Sequence, residues 1–294
     1  MSDPVVLCEI APGAEIDPTA RIGRWCVIGP QVAIGPGTCL EDRVTIMGRT
    51  IIGRDNHVGG CTVLGGEPQD LKYRGSGTWL VIGDRNWIGR SVTAHVGTEV
   101  GGWATSIGDD TVLDDTCHIA HDCYIANGAR IGRGVLMAGH VVVQSSAVVE
   151  SLTGIHHFTR IGRYARVGPR TPVRRDVPPF VDFYSEDYYW DPPMVRGVHE
   201  AGIAAARLTP QAEAELRKAL ATIFNDESAM ATQLDQVEAA GPLSPELKNL
   251  CRFCRESLEG LYGRYREKFR GQIPPEAEEF LPPELLDSIR REMQ

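Results

Sequence analysis

The stretch CHIAHDCYIANGARIGRG, residues 117–134, sets His118 and His121 three residues apart and follows them at once with Asp122 and Cys123. Imidazole, carboxylate and thiol grouped in this way have three uses: they hold a metal, move a proton, or fill a wall. Imidazole exchanges a proton near neutral pH without assistance and is also a common zinc ligand. His140, His156 and His157 follow, so five of the eight histidines fall within residues 118–157.

Their spacing acquires meaning from the elements that carry them. Stepping by six from Ile10 gives Ile16, Ile22, Ile28, Ile34, Leu40, Ile46, Ile52, Val58 and Leu64. The phase breaks at GGEPQDLKYRGSGTW, resumes at Ile82, Ile88 and Ala94, and breaks again at HVGTEVGGWATS. It then runs from Ile107 to Val173 without interruption. All 25 positions are apolar on a chain that is 42% hydrophobic. Neither an amphipathic helix nor a sandwich strand has that period, and a hexapeptide repeat marks a β-helix. The aliphatic is repeatedly followed by glycine, as in IGR, IGP, IGD and VGP. Glycine reaches positive φ freely, which predicts that it turns each corner. These hexads resemble the left-handed parallel β-helix of the hexapeptide-repeat transferases, where three hexads close one coil. On that geometry residue i lies one strand spacing, about 4.8 Å, from i+18. His121 then lies beneath Gly139 and two coils from His157, Asp122 lies beneath His140, and the Gly139 N–H is approachable by a developing oxyanion.

After RRDVPPFVDFYSEDYYWDPPMV the texture changes to helical spacing, with helix starts at Thr-Pro, Ser-Pro and Pro-Pro. The expected organisation is a β-helix over residues 1–193 and a small α-helical domain over 194–294. A net charge of −9 argues against a general nucleic-acid binder. No stretch approaches the roughly 20 apolar residues of a membrane span, and the N-terminus lacks a charged-then-apolar leader. Eight scattered cysteines fit a reduced interior, so a cytoplasmic protein is expected.

Three readings of the histidines stay open at this point. They are turn residues in a solvated wall, or three imidazoles from two chains hold zinc as in the γ-class carbonic anhydrases, or one is a general base and the others position substrate. The interrupted segments add a resemblance. HVGGCTVLGGEPQDLKYRG, SVTAHVGTEVGGWATSIGD, HIAHDCYIANGARIG, MAGHVVV and RRDVPPFV, in this order, resemble the UDP-N-acetylglucosamine 3-O-acyltransferases, which make the first acylation of lipid A. The resemblance spans about residues 5–190, and PQDLKY with HIAHDC is its specific part. It implies that His121 is the base, that Asp122 orients it, and that the Gly139 N–H receives the oxyanion. It further implies that Asp70 and Lys72 reach the sugar nucleotide while His95, His118, His140 and His156 line the cleft, with His157 expected beside them near the sugar nucleotide. The donor is then an acyl carrier protein bearing 4′-phosphopantetheine, the acceptor a UDP-amino sugar, and the assembly a homotrimer without metal or resident cofactor.

Some residues depart from that pattern. His157 stands where the family carries glutamine, Ala204, Ala205 and Ala206 leave only Arg207 where it carries an arginine pair, and Pro169 and Trp103 are bulkier than expected. Acceptors other than UDP-N-acetylglucosamine, including ones acylated on nitrogen, and a catalytically silent trimeric scaffold are the alternatives. Six arginines between Arg160 and Arg175, among them Arg163, Arg166 and Arg170, form a run expected to dock an acidic carrier protein. The CRFC pair, Cys251 and Cys254, reads as half-buried packing, and PPEAEEFLPPELL near the C-terminus as a solvated tail.

Overall fold

The hexads wind the chain around a three-sided prism in which each side is one parallel sheet. In this computed structural model, which describes residues 7–186, 192–225, 229–269 and 281–292, the first sheet has nine strands, from Glu9–Ile10 to Pro172–Val173. The second has eight, from Glu15–Ile16 to Arg160–Ile161, and the third has ten, beginning at Arg21–Ile22. Strand register advances by 18 residues, as in Glu9 opposite Val27 and Tyr124 opposite Val142. The two interruptions lengthen their coils: Val63 faces Thr93 and Trp87 faces Val112.

Of the 25 repeat positions, all but Ile10, Ile16 and Ile22 of the open first coil are buried. A second interior position, two residues before each aliphatic, carries small side chains. It is occupied by Cys26, Thr38, Asn56, Thr62, Cys117, Cys123, Ala129 and Thr153, all buried. Their polar atoms are satisfied across the coil: Thr38 and Thr62 hydroxyls donate to the Gly53 and Gly89 carbonyls, and the Asn56 amide donates to Gly83. Burial pushes the Cys117 and Cys123 thiols up to about 12, which makes them inert filling.

The glycines work differently from the expectation. Gly23, Gly35 and Gly59, each directly after a repeat aliphatic, do not adopt positive φ. A Cβ on them would stand 2.5, 2.7 and 2.6 Å from backbone atoms of the next coil. They are needed for close approach. The positive φ falls two residues later, mostly on non-glycines such as Trp25 (56°), Arg43 (62°), Leu152 (61°) and Phe158 (62°). Such residues cost about 1–2 kcal/mol each in isolation, and the ladder above and below holds them there.

Val181–Tyr184 continues the third sheet, and Met194–Val198 pairs with it antiparallel as the last strand before the helices. Helices follow at Glu200–Ala206 (α1), Pro210–Ile223 (α2), Met230–Ala239 (α3), Pro245–Glu259 (α4) and Pro283–Glu292 (α5). Helix α2 starts as its Thr-Pro promises, with the Thr209 hydroxyl accepting the Ala212 N–H. Cys251 and Cys254 are fully buried. The expected solvated tail is overturned in its described part: Leu281, Leu285, Leu286 and Ile289 are buried against the second sheet, because the helical spacing gathers them on one face. Residues 274–280 of that tail lie outside the described residues.

Candidate active site

His121 and Asp122 occupy the corner that carries the chain from His118–Ile119 of the first sheet to Tyr124–Ile125 of the second. Asp122 is the left-handed residue of its corner (φ 58°) and is fully buried. That backbone folds its carboxylate back beside the preceding ring, with Oδ2 2.7 Å from His121 Nδ1. The second interruption supplies the rest of the cradle. Thr98 gives Asp122 two donors, its N–H to Oδ1 at 2.8 Å and its hydroxyl to Oδ2 at 2.6 Å, while the Asp122 N–H donates to Thr105 Oγ1. Gly101 has to be glycine here, since a Cβ would stand 2.0 Å from the carboxylate. An ionised carboxylate only accepts, so this arrangement places the His121 proton on Nδ1 and leaves the Nε2 lone pair as the base.

One coil on, Gly139 lies against the His121 ring; a Cβ would meet Cε1 at 2.5 Å and Nε2 at 2.7 Å. The flanking N–H groups of Ala138 and His140 donate to Ile155 and His121 carbonyls. At the equivalent turn position of other coils, the N–H groups of Arg24, Arg54 and Arg90 go to Asp42, Asp84 and Asp115 of the next coil. The Gly139 N–H has no acceptor among the described residues, so it remains available beside the base.

The other histidines form a continuous line. His140 stands edge-on to His121 at 5.1 Å and stacks on Phe158 at 4.2 Å, and His156 and His157 follow at the same edge. His95 and His118 meet edge-on at 4.9 Å on the first sheet, and His118 Nδ1 lies 2.7 Å from Thr93 Oγ1. Burial, with His118 and His121 nearby, pulls His95 down to about 4, and burial lowers His118 as well. The solvated-wall reading fails for the central three, since His95, His121 and His140 are all buried. His121, Asp122 and His140 could also surround a cation, their ligand atoms lying within 4.8 Å of one another. Asp122 already receives Thr98 and His121, however, and a cation would have to displace those donors.

Asp70 and Lys72 sit apart from this line. Their contacts among the described residues stay within the loop, where the Lys72 N–H donates to Asp70 Oδ1 at 2.9 Å. Glu99 Oε1 joins the two interruptions by accepting the Arg74 and Ser76 N–H groups. The arginine run is not one patch, because six residues turn the chain by a third of a coil. Arg163 follows the second sheet, Arg166 is on the third, and Arg170 is on the corner leading back to the first. Arg160 is buried against Asp176 and Glu256, and Arg166 is paired with Glu150 and Asp182. Carboxylates distant in sequence thus neutralise two of the six, Arg160 and Arg166. Ala204 and Ala205 face solvent on α1, and Arg207 is exposed at its end. Sequence reasoning missed Thr98, Thr105 and Gly101; their place in a phase break was the only signal.

The chain is similar to known proteins in sequence and in fold. Residues 104–139 match the bacterial transferase hexapeptide family, and residues 176–262 match domain 2 of the UDP-N-acetylglucosamine O-acyltransferases. The chain is 36% identical over 252 residues to the acyl-[acyl-carrier-protein]–UDP-N-acetylglucosamine O-acyltransferase of Thermodesulfovibrio yellowstonii, covering 86% of this chain and 96% of the relative. LpxA from Acinetobacter baumannii superposes with a TM-score of 0.77 at 33% identity, over 83% of this chain and 93% of that one. The Francisella novicida UDP-N-acetylglucosamine acyltransferase gives 0.79 at 28%, over 85% and 90%. The prism is thus the left-handed hexapeptide-repeat β-helix with a helical C-terminal region.

Proposed function

As the chain belongs to the UDP-N-acetylglucosamine O-acyltransferases of the hexapeptide-repeat class, we propose that it transfers an acyl chain from acyl carrier protein to the glucosamine 3-hydroxyl of UDP-N-acetylglucosamine, the first acylation of lipid A synthesis. The observation that carries this reading is the pairing of an oriented imidazole with an available N–H, His121 held by Asp122 beneath Gly139. His121 Nε2 takes the proton of the sugar hydroxyl as its oxygen attacks the thioester carbonyl carbon. Negative charge moves to the carbonyl oxygen, where the Gly139 N–H receives it; a donor of this kind is worth about 10²–10³ in rate. The tetrahedral adduct collapses, the carbon–sulfur bond breaks, and the departing thiolate recovers the proton from His121. The phosphopantetheine arm arrives on the donor, and the chain supplies no cofactor.

The assembly in this reading is a homotrimer in the cytoplasm, with the site between subunits. Support comes from the site's open side. Leu136, next to His118 in register, is exposed on the first sheet, as is Leu71 at the tip of the Asp70–Lys72 loop. A loop whose polar side chains do not reach their own histidines is suited to those of a neighbour. His118, His140, His156, His157, Asp70 and Lys72 then line the acceptor side, and His95 stays neutral behind His118. Mass spectrometry of a reaction with UDP-N-acetylglucosamine and a set of acyl carrier proteins of different chain length tests the reading. Mono-acylated nucleotide sugar from the wild type and none from His121→Ala supports it; equal product from both removes His121 as base.

A further inference from the structure

Residues 264–269 and 281–292 lie beyond the matched domain, which ends at residue 262, yet the first of these stretches returns to the catalytic edge. In the 3₁₀ turn Tyr265–Phe269, two consecutive residues grip two consecutive coils. The buried Arg266 guanidinium donates to the His140 carbonyl oxygen and lies 5.2 Å over the Tyr124 ring. Glu267, with only 8% of its side chain exposed, sets Oε1 3.5 Å from His157 Nε2. The turn is itself fixed. Arg264 donates to the Arg174 carbonyl and pairs with Glu267, and the Tyr265 N–H reaches Asp176 Oδ2 at 3.3 Å. Helix α5 then lies along the second sheet, where Leu281, Leu285, Leu286 and Ile289 pack with Val81, Ala104, Tyr124 and Val142. Trp79 and Trp103 pack against the same cluster, so the bulk of Trp103 has a use as a seat for this segment.

We propose that residues 264–269, with residues 281–292 docked on the second sheet, act as a strap that positions the acceptor-binding rim of the site, with Arg266 and Glu267 as its positioning residues. The proposal rests on the acyl-transfer reading. A solenoid coil contacts only its neighbours, so nothing within the repeat braces a corner sideways. The corner concerned carries the reacting group: His140 and Phe158 are the left-handed residues of successive coils, their rings stack, and His140 touches the His121 ring. Any slide of that stack displaces the acceptor from the base, and displacements of about 1 Å cost as much as 10² in rate. Arg266 fixes the backbone of one coil and Glu267 the imidazole of the next, so together they set the rim's spacing.

The test measures kcat and the KM of each substrate separately for the full chain and for Arg266→Ala, Arg266→Lys and Glu267→Gln, with Tm alongside. The expected result is a KM for UDP-N-acetylglucosamine raised about ten-fold in Arg266→Ala and Glu267→Gln. The KM for the acyl donor stays within about two-fold, and Arg266→Lys regains most of the loss. Variants that match the wild type, or that change both KM values together in step with a lower Tm, overturn the strap as a positioning element. Should Arg266→Ala fail to fold, Glu267→Gln carries the test alone, since it leaves the buried guanidinium in place. A wild type that acylates nothing overturns the acyl-transfer reading and the strap with it, whereas an active wild type with indifferent variants overturns only the strap.

Discussion

The backbone of Gly139 lies across the imidazole of His121 so closely that a single added methyl would stand 2.5 Å from Cε1. Gly139 does not adopt positive φ, so its backbone tolerates alanine and only the ring has to give way. Gly139→Ala is therefore expected to cost about 10² or more in kcat while Tm changes little. Gly128→Ala is the contrast: its φ is +71° and the nearest atom is Ser146 Oγ at 3.3 Å. It should lose about 1–2 kcal/mol of stability and keep its activity. Denaturant midpoints and initial rates on the two variants separate crowding of the base from backbone strain.

Asp122 accepts from Thr98 twice and from His121 once. Replacing the carboxylate by an amide presents N–H groups to the ring and favours the tautomer whose proton sits on the wrong nitrogen. Asp122→Asn should lower kcat by about 10³ or more, by the logic of the serine-protease triad, with both KM values near normal. Thr98→Val removes one donor and should cost about ten-fold, in line with a loss of about 1.5 kcal/mol for a hydrogen bond to a charged group. Steady-state kinetics distinguish the two; a Thr98→Val enzyme as damaged as Asp122→Asn would show that Thr98 does more than hold the carboxylate.

His95 gives the fold a pH dependence of definite sign. Burial holds it near 4 in the folded chain against 6.5 for a free imidazole, so between these values the unfolded chain binds more protons. Stability is then fully present above about pH 6.5 and falls as pH drops through that window. His118, lowered in the same direction, adds to the fall. Thermal melts from pH 8 to pH 4 should show Tm dropping below pH 6.5, with a shallower drop in His95→Gln. An equally steep drop in that variant would place the titrating group elsewhere.

How much of this was legible beforehand differs by element. The core aliphatics were, because a period of six in 25 positions is a backbone property written on side chains. The meeting of His121 with Gly139, and of Asp122 with His140, followed from an 18-residue coil, since register in an uninterrupted solenoid is counting. Thr98 was not legible: it sits in a phase break, and nothing local tells where an irregular loop folds back. The distribution of the arginine run was not legible for a related reason. Charge along a sequence becomes charge on a face only in a straight element, and here successive hexads point in three directions. Arg160 and Arg166 then met Asp176, Glu150 and Asp182, partners that only the third dimension supplies. The strap was hidden because proline and acidic residues mark a tail as solvated, while the Leu285–Leu286–Ile289 face marks it as docked.

The two roles at each corner can be separated by a reciprocal exchange. Gly59 follows the core residue Val58, and a Cβ there would meet Gly89 C at 2.6 Å and Arg90 N at 2.7 Å. Ser91 lies two residues after Gly89 with φ 53°, its N–H donating to the Gly60 carbonyl. If glycine were present to turn the chain, Ser91→Gly would stabilise strongly and Gly59→Ala would be mild. The close-approach account gives the opposite order. Gly59→Ala forces two coils apart and should cost about 1–3 kcal/mol. Ser91→Gly relieves a left-handed residue of about 1–2 kcal/mol but gives the unfolded chain more freedom, about 0.5–1 kcal/mol, leaving a change near zero or a slight gain. Guanidinium unfolding of both variants decides it. A larger effect at Ser91 than at Gly59 would return the turning role to the glycine after the aliphatic.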